Sequence, residues 1–246
     1  MSTLFVAWQS PEPSRSWFPI GRLDAENSSS FLFRYTQGAL DAETHAGFKP
    51  LVSFPDFRKR YESSQLFPVF KNRVLDPARK DFKDYLGWLD LDPAHSDPIE
   101  ILALTGGERQ TDSLEVFPRI LKRADQTFSC RFFLHGLRHV TDAGRATANA
   151  LATETPLQVA VELNNPVGPL AIQLQTTDCH MIGWAPRYLV QDLIAGINEH
   201  PMVSAKVIRV NEHGAPQARR ILIELTGTLP AGFEPMSGAQ FRLLTA

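Results

Sequence analysis

At 246 residues with 43% hydrophobic content, the chain is long enough to bury one large core or two small ones, and two are expected. A formal charge of −2 and a pI near 6.4 exclude a global basic field, so any nucleic-acid contact must be local. No apolar run approaches the roughly 20 residues that span a bilayer. Two cysteines, Cys130 and Cys179, exclude a disulfide framework. The start, MSTLFVAWQS, lacks a basic segment followed by an apolar signal core. A cytoplasmic protein with no membrane partner is expected.

In chain order, LFVAW (Leu4 to Trp8), the Pro11-Glu12-Pro13 break, Trp17 to Leu23 and Phe31 to Tyr35 predict an antiparallel meander. The Asp76-Pro77 pair is N-cap chemistry with proline at the first helical position, and Phe82, Tyr85, Leu86 and Leu89 follow at helical spacing. Asp97-Pro98 repeats the device before IEILALT, and Gly106-Gly107 ends that helix. Between Arg58 and Lys83 stand eight basic residues against three acidic ones. A solvated surface explains most such runs. The alternative is a phosphate or acidic-partner contact through Arg58, Lys59, Arg60, Lys71 and Arg73.

The second half opens with FFLHGLRHV (Phe132 to Val140), read as a strand. VELNNPVGPLAIQL (Val161 to Leu174) places Asn164-Asn165-Pro166 between two apolar-rich strands, which is turn chemistry. In HMIGWAPRYLVQDL (His180 to Leu193) a strand runs through Gly183 into a helix whose first turn suits Pro186. Arg138, His139, Trp184 and Arg187 then converge beside the Asn164-Asn165 loop. A cationic and aromatic surface of that kind suits stacked bases and phosphates. KVIRV (Lys206 to Val210), ILIEL (Ile221 to Leu225) and FRLL (Phe241 to Leu244) complete a barrel, with His213-Gly214 as a turn between the first two. Pro118 to Gln126 reads as a linker or a connecting helix.

Other chemistry fades on inspection. Zinc needs three or four converging ligands, and a strand spreads Cys130, His135 and His139 over about 30 Å. On that strand His135 and His139 share a face and Cys130 points away. Cys179-His180 lacks a third group for nucleophilic catalysis. Thr105-Gly106-Gly107-Glu108 lacks the ending of a phosphate loop and reads as a helix stop. No metal or cofactor is expected.

Two resemblances join these readings. Phe18 to Leu23, Phe31 to Tyr35, Leu66-Phe67-Pro68-Val69-Phe70 with Asn72-Arg73, and Leu102 through Gly107 resemble the amino-terminal segment of HipA-type kinases, which also occurs as a separate antitoxin-type protein. The kinase core itself is absent: there is no glycine-rich loop with a paired strand lysine, no HRD-like loop and no metal-binding aspartate motif. Gly136-Leu137-Arg138, Asn164-Asn165-Pro166 with Ala171-Ile172, and Ile182-Gly183 with its following helix resemble the HIRAN domain over roughly residues 130 to 226. That family implies a small β-barrel, some members of which bind the 3′ end of single-stranded DNA. Arg138 and Arg187 would then hold phosphates. Where DNA-end-binding members carry an aromatic and an aspartate, this chain has Val167 and Gly168, which neither stack on a base nor accept from a 3′-hydroxyl.

The resulting expectation is an α+β chain. A small antiparallel sheet with helices (residues 1–118) is joined through 119–129 to a HIRAN-like β-barrel with one or two helices (130–246). In function it is a noncatalytic regulatory, antitoxin-type protein with a HipA-type Ser/Thr kinase as partner and nucleic-acid contacts at Arg138, His139, Asn164, Asn165, Trp184 and Arg187. The alternative is a stand-alone protein that binds single-stranded DNA or DNA ends.

Overall fold

Alternating apolar residues in the first third of the chain form strands where the pattern places them. The computed structural model describes every residue except 1, 95, 110, 167, 169, 198–202, 213 and 246. It opens with β1 (Ser2–Gln9), β2 (Trp17–Asn27) and β3 (Ser30–Tyr35), followed by α1 (Gln37–Ala46), β4 (Tyr61–Ser63), α2 (Pro68–Lys71), α3 (Phe82–Trp88), α4 (Pro98–Thr105) and β5 (Leu114–Pro118). The five strands form one antiparallel sheet in the order β4-β3-β2-β1-β5. Leu23, Phe33 and Tyr35 are fully buried. Phe33 stacks on Phe54 with centroids 4.0 Å apart, and Tyr35 meets Phe57 edge-on at 4.9 Å.

The capping signals performed unequally. Asp97 accepts from the Ile99 N–H at 2.9 Å and Gly106 closes α4 at a φ of 69°, as the sequence predicts. At Asp76-Pro77 the carboxylate instead accepts from the Ala78 N–H at 2.9 Å, closing a local turn. The helix begins only at Phe82. Leu86 and Leu89 are nevertheless buried, as their spacing requires.

The rest of the chain supplies β6 (Thr127–Phe133), α5 (Asp142–Asn149), β7 (Pro156–Leu163), β8 (Leu170–Gln175), β9 (Met181–Trp184), α6 (Arg187–Ile197), β10 (Val203–Val210) and β11 (Ile221–Thr228). Their antiparallel sheet runs β6-β11-β10-β7-β8-β9. β7 meets β10 only at Pro156 and Leu157, then pairs with β8 from Gln158 to Leu163, so the sheet curls where β7 changes partner. Just beyond β6, His135 bridges to Trp184 at the end of β9. The result is a partial barrel in an α+β chain. No described helix is long and apolar enough to cross a membrane.

The chain divides into two units: residues 1–83, 92–119 and 236–246 form the first, and 84–91 with 120–235 form the second. Two segments thus fall elsewhere than a cut near residue 118 predicts. Residues 84–91 join the second unit because the Asn211 amide donates to the Trp88 carbonyl at 2.9 Å and Asp90 faces Arg131 and Arg209 at 3.3 and 3.4 Å. Residues 236–246 join the first. The Gln37 N–H donates to the Arg242 carbonyl at 2.7 Å, the Leu244 N–H to the Tyr35 carbonyl at 3.0 Å, and Phe241 packs edge-on against Phe5 at 4.8 Å. Phe241 to Leu244 is therefore not a barrel strand: it leaves a 3-10 turn (Ala239–Phe241) and touches Thr36 by one bridge. The expected strand through Val140 also stops early, at Phe133, and Leu137–His139 is a 3-10 turn. His213, expected in a turn, lies outside the described residues.

Candidate nucleic-acid interface

The Asn-Asn-Pro sequence makes the turn its chemistry dictates. β7 ends at Leu163, Asn164 takes a φ of 61°, the Gly168 N–H donates to the Asn165 carbonyl at 3.2 Å, and β8 begins at Leu170. Asparagine tolerates this left-handed angle better than most residues, which explains its place there. Val167 lies outside the described residues.

Trp184 sits where two chain segments cross. Its N–H donates to the His135 carbonyl at 3.0 Å, and the His135 N–H returns the bond to the Trp184 carbonyl at 2.9 Å. Two glycines make that approach possible. A Cβ on Gly183 would stand 2.6 Å from the His135 carbonyl oxygen, and one on Gly136 would stand 2.3 Å from a carbon of the Trp184 ring. The glycines of two of the motifs read in the sequence thus have a packing reason. They hold the indole against the Gly136 backbone.

At its other end the indole N–H donates to Glu162 Oε2 at 2.6 Å, and the Asn165 amide donates to the same oxygen at 3.0 Å. These bonds hold the Glu162 carboxyl below its usual range, the Trp184 bond most strongly; partial desolvation opposes them, and Asn165 and Gln173 add to them. Glu162 joins the turn to the tryptophan. Sequence reasoning missed it: it lies three residues before Asn165 at an outward position of the strand, where a lone carboxylate carries no motif.

The candidate cations lie on elements that precede and follow Trp184 in the chain. Arg187 opens α6, with Nη1 3.6 Å from where a Cβ on Gly168 would lie. Arg138 and His139 follow Gly136 directly on the 3-10 turn, both exposed, with Arg138 Nε donating to His139 Nε2 at 2.9 Å. Arg145 of α5 donates to the Arg138 carbonyl at 3.3 Å and pairs with Asp142, which braces the turn. On the opposite face of the β7–β8 hairpin, Leu163 and Leu170 are 68% and 40% exposed, an apolar edge at the turn. The structure thus brings Asn165 and Trp184 together on Glu162, with Asn164 at the turn's exposed start, Arg187 near Gly168 of the same turn, and Arg138 and His139 on the 3-10 turn that follows Gly136.

The basic residues of the first unit do not form one surface. Arg73 is buried: Nε donates to the Val69 carbonyl at 3.0 Å, Nη1 to the Gly107 carbonyl at 2.8 Å and Nη2 to Asp112 at 2.5 Å. It is a structural residue and leaves the set of surface contacts. Arg60 pairs with Glu62 at 3.0 Å, and Lys59 lies 5.6 Å over the Tyr61 ring. Arg58 and Lys71 are exposed.

No protein-family model and no curated protein matches the chain. A crystal structure of a protein from Lactobacillus plantarum matches in part. It is 19% identical, with a TM-score of 0.33, over 46% of this chain and 96% of that one. A likeness this low carries neither fold nor function.

Cys130, His135 and His139 do not converge. Cys130 faces Leu225 across the β6–β11 ladder, whereas His135 pairs with Trp184 and His139 lies on the 3-10 turn, so the two histidines share no strand face. Among the described residues no group of three or more His, Cys, Asp and Glu is placed to hold a metal. Burial pushes the Cys130 thiol up to about 12, and the Glu224 charge adds to the shift.

Proposed function

We propose that this is a noncatalytic regulatory protein that takes single-stranded nucleic acid on the Trp184 side of its second unit and a HipA-type Ser/Thr kinase on its first. One observation carries the nucleic-acid half. Trp184, pinned by Glu162 and by the Gly136 backbone, adjoins two arginine-bearing elements, the 3-10 turn of Arg138 and the start of α6 at Arg187. A fixed aromatic ring with arginines on the neighbouring elements suits stacking of a base and contact with its phosphates. The kinase half rests on the resemblance of residues 1–118 to the HipA amino-terminal segment.

Fluorescence anisotropy of the full chain with labelled single-stranded and duplex oligonucleotides at two salt concentrations tests the proposal. Single strands should bind more tightly than duplex. Arg138→Ala and Arg187→Ala should each weaken binding and flatten the salt dependence by about 0.7 in log–log slope, the share of one single-strand phosphate. Unchanged affinity in both variants rules this surface out. The stand-alone reading parts from the regulatory one when purified HipA-type kinase is mixed with the chain: a stoichiometric complex favours regulation, and its absence leaves nucleic-acid binding alone.

A further inference from the structure

The outward face of β7, β8 and β9 carries a connected row of polar side chains. In the ladder Glu162 stands opposite Ala171, Ala160 opposite Gln173, and Gln173 opposite Trp184, so these positions share one face. Their neighbours Ile172 and Leu174 are fully buried, which places the row away from the core. Gln175 donates its amide to Gln173 Oε1 at 3.1 Å, and Gln173 in turn hydrogen-bonds Glu162. Trp184 and Asn165 complete the shell around the carboxylate.

A carboxylate has about four acceptor positions. Among the described residues three donors hold Glu162, which is only half-buried, so one acceptor position of the carboxylate beside the indole N–H has no described partner. An ionised carboxylate cannot donate. A base that stacks on Trp184 can satisfy that position only with an N–H group. Cytosine and adenine offer an exocyclic amino group at the edge, whereas thymine offers a carbonyl and a methyl there. Thymine's lone N–H lies between two carbonyl oxygens that would face the negative charge.

Resting on the nucleic-acid reading above, we infer that Glu162 is a specificity-determining residue that makes the Trp184 platform prefer bases bearing an exocyclic amino group over thymine or uracil. The carboxylate serves two ends at once. It orients the indole and tests the edge of the base laid on it.

The test is anisotropy of the full chain with labelled oligo-dC, oligo-dA and oligo-dT of one length at one salt concentration. The dC and dA strands should bind about tenfold more tightly than dT, within the range of one base-edge contact. Glu162→Gln should close most of that gap by gaining for dT, because an amide can donate to a thymine carbonyl. Equal affinities in the wild type, or a preference for dT, overturn the inference and leave the nucleic-acid reading standing. A gap that persists in E162Q removes the assignment to Glu162. Binding to none of the three overturns both. The wild-type comparison decides even where the variant fails to fold.

Discussion

Tyr35 is the residue on which a loop of the first unit hangs. Its hydroxyl donates to the Phe54 carbonyl at 2.8 Å and accepts from the Leu51 N–H at 2.7 Å, clasping the turn at both ends. Burial drives its phenol well above the ordinary range, so the hydroxyl keeps its proton and both bonds hold across the physiological range. Tyr35→Phe removes one partner from each backbone group, and urea unfolding should show a loss of about 1–3 kcal/mol. The two cysteines differ on similar grounds: Cys130 is desolvated and Cys179 is exposed on the surface. Iodoacetamide on the native protein should therefore label exposed Cys179 much faster than half-buried Cys130, whose thiol stays protonated. Equal labelling rates at the two cysteines would contradict this.

At the scale of elements, the crossing of residues 134–136 over β9 decides the shape of the candidate site. Gly183, at a φ of 154°, has no room for a Cβ: the His135 carbonyl and the Leu134 side chain stand 2.6 and 2.8 Å from where it would be. Gly183→Ala should lower stability by about 1–3 kcal/mol, the usual cost of a strained or overpacked position. It should also change the environment of Trp184. Thermal unfolding with tryptophan emission checks both, and a variant of unchanged stability would mean the crossing is looser than the structure has it.

The same elements show what a sequence can disclose. Caps at Asp97 and Gly106 and the turn at Asn164 were legible because local backbone chemistry alone sets them. The end of β6 was not. Phe132-Phe133-Leu134 continues the apolar pattern past the strand, and Gly136, at a φ of 74°, turns the chain against the distant Trp184 ring, which leaves no space for a Cβ there. Glu162 was missed for a related reason. A single carboxylate on a strand carries no motif, and its meaning comes from a tryptophan 22 residues away.

At the scale of the whole molecule, the interleaving of the two units was illegible because it rests on long-range bonds such as Asn211 to Trp88 and Gln37 to Arg242. Charge distribution was legible. Beyond residue 127 nine basic residues balance nine acidic ones, so no broad field attracts polyanions. On the proposed function, affinity for nucleic acid would depend on a few placed cations and on stacking, and its salt dependence should be shallow for a nucleic-acid binder.

Stacking of a base on Trp184 can be read directly, because the chain has four tryptophans, Trp8, Trp17, Trp88 and Trp184. A variant carrying Trp8→Phe, Trp17→Phe and Trp88→Phe leaves one indole to report. Titrated with single-stranded oligonucleotide, its emission should be quenched over the same concentration range in which anisotropy rises, and Trp184→Ala in the wild-type background should cost about 1–3 kcal/mol of binding. An anisotropy rise with unchanged Trp184 emission, or no binding at all, would contradict the account.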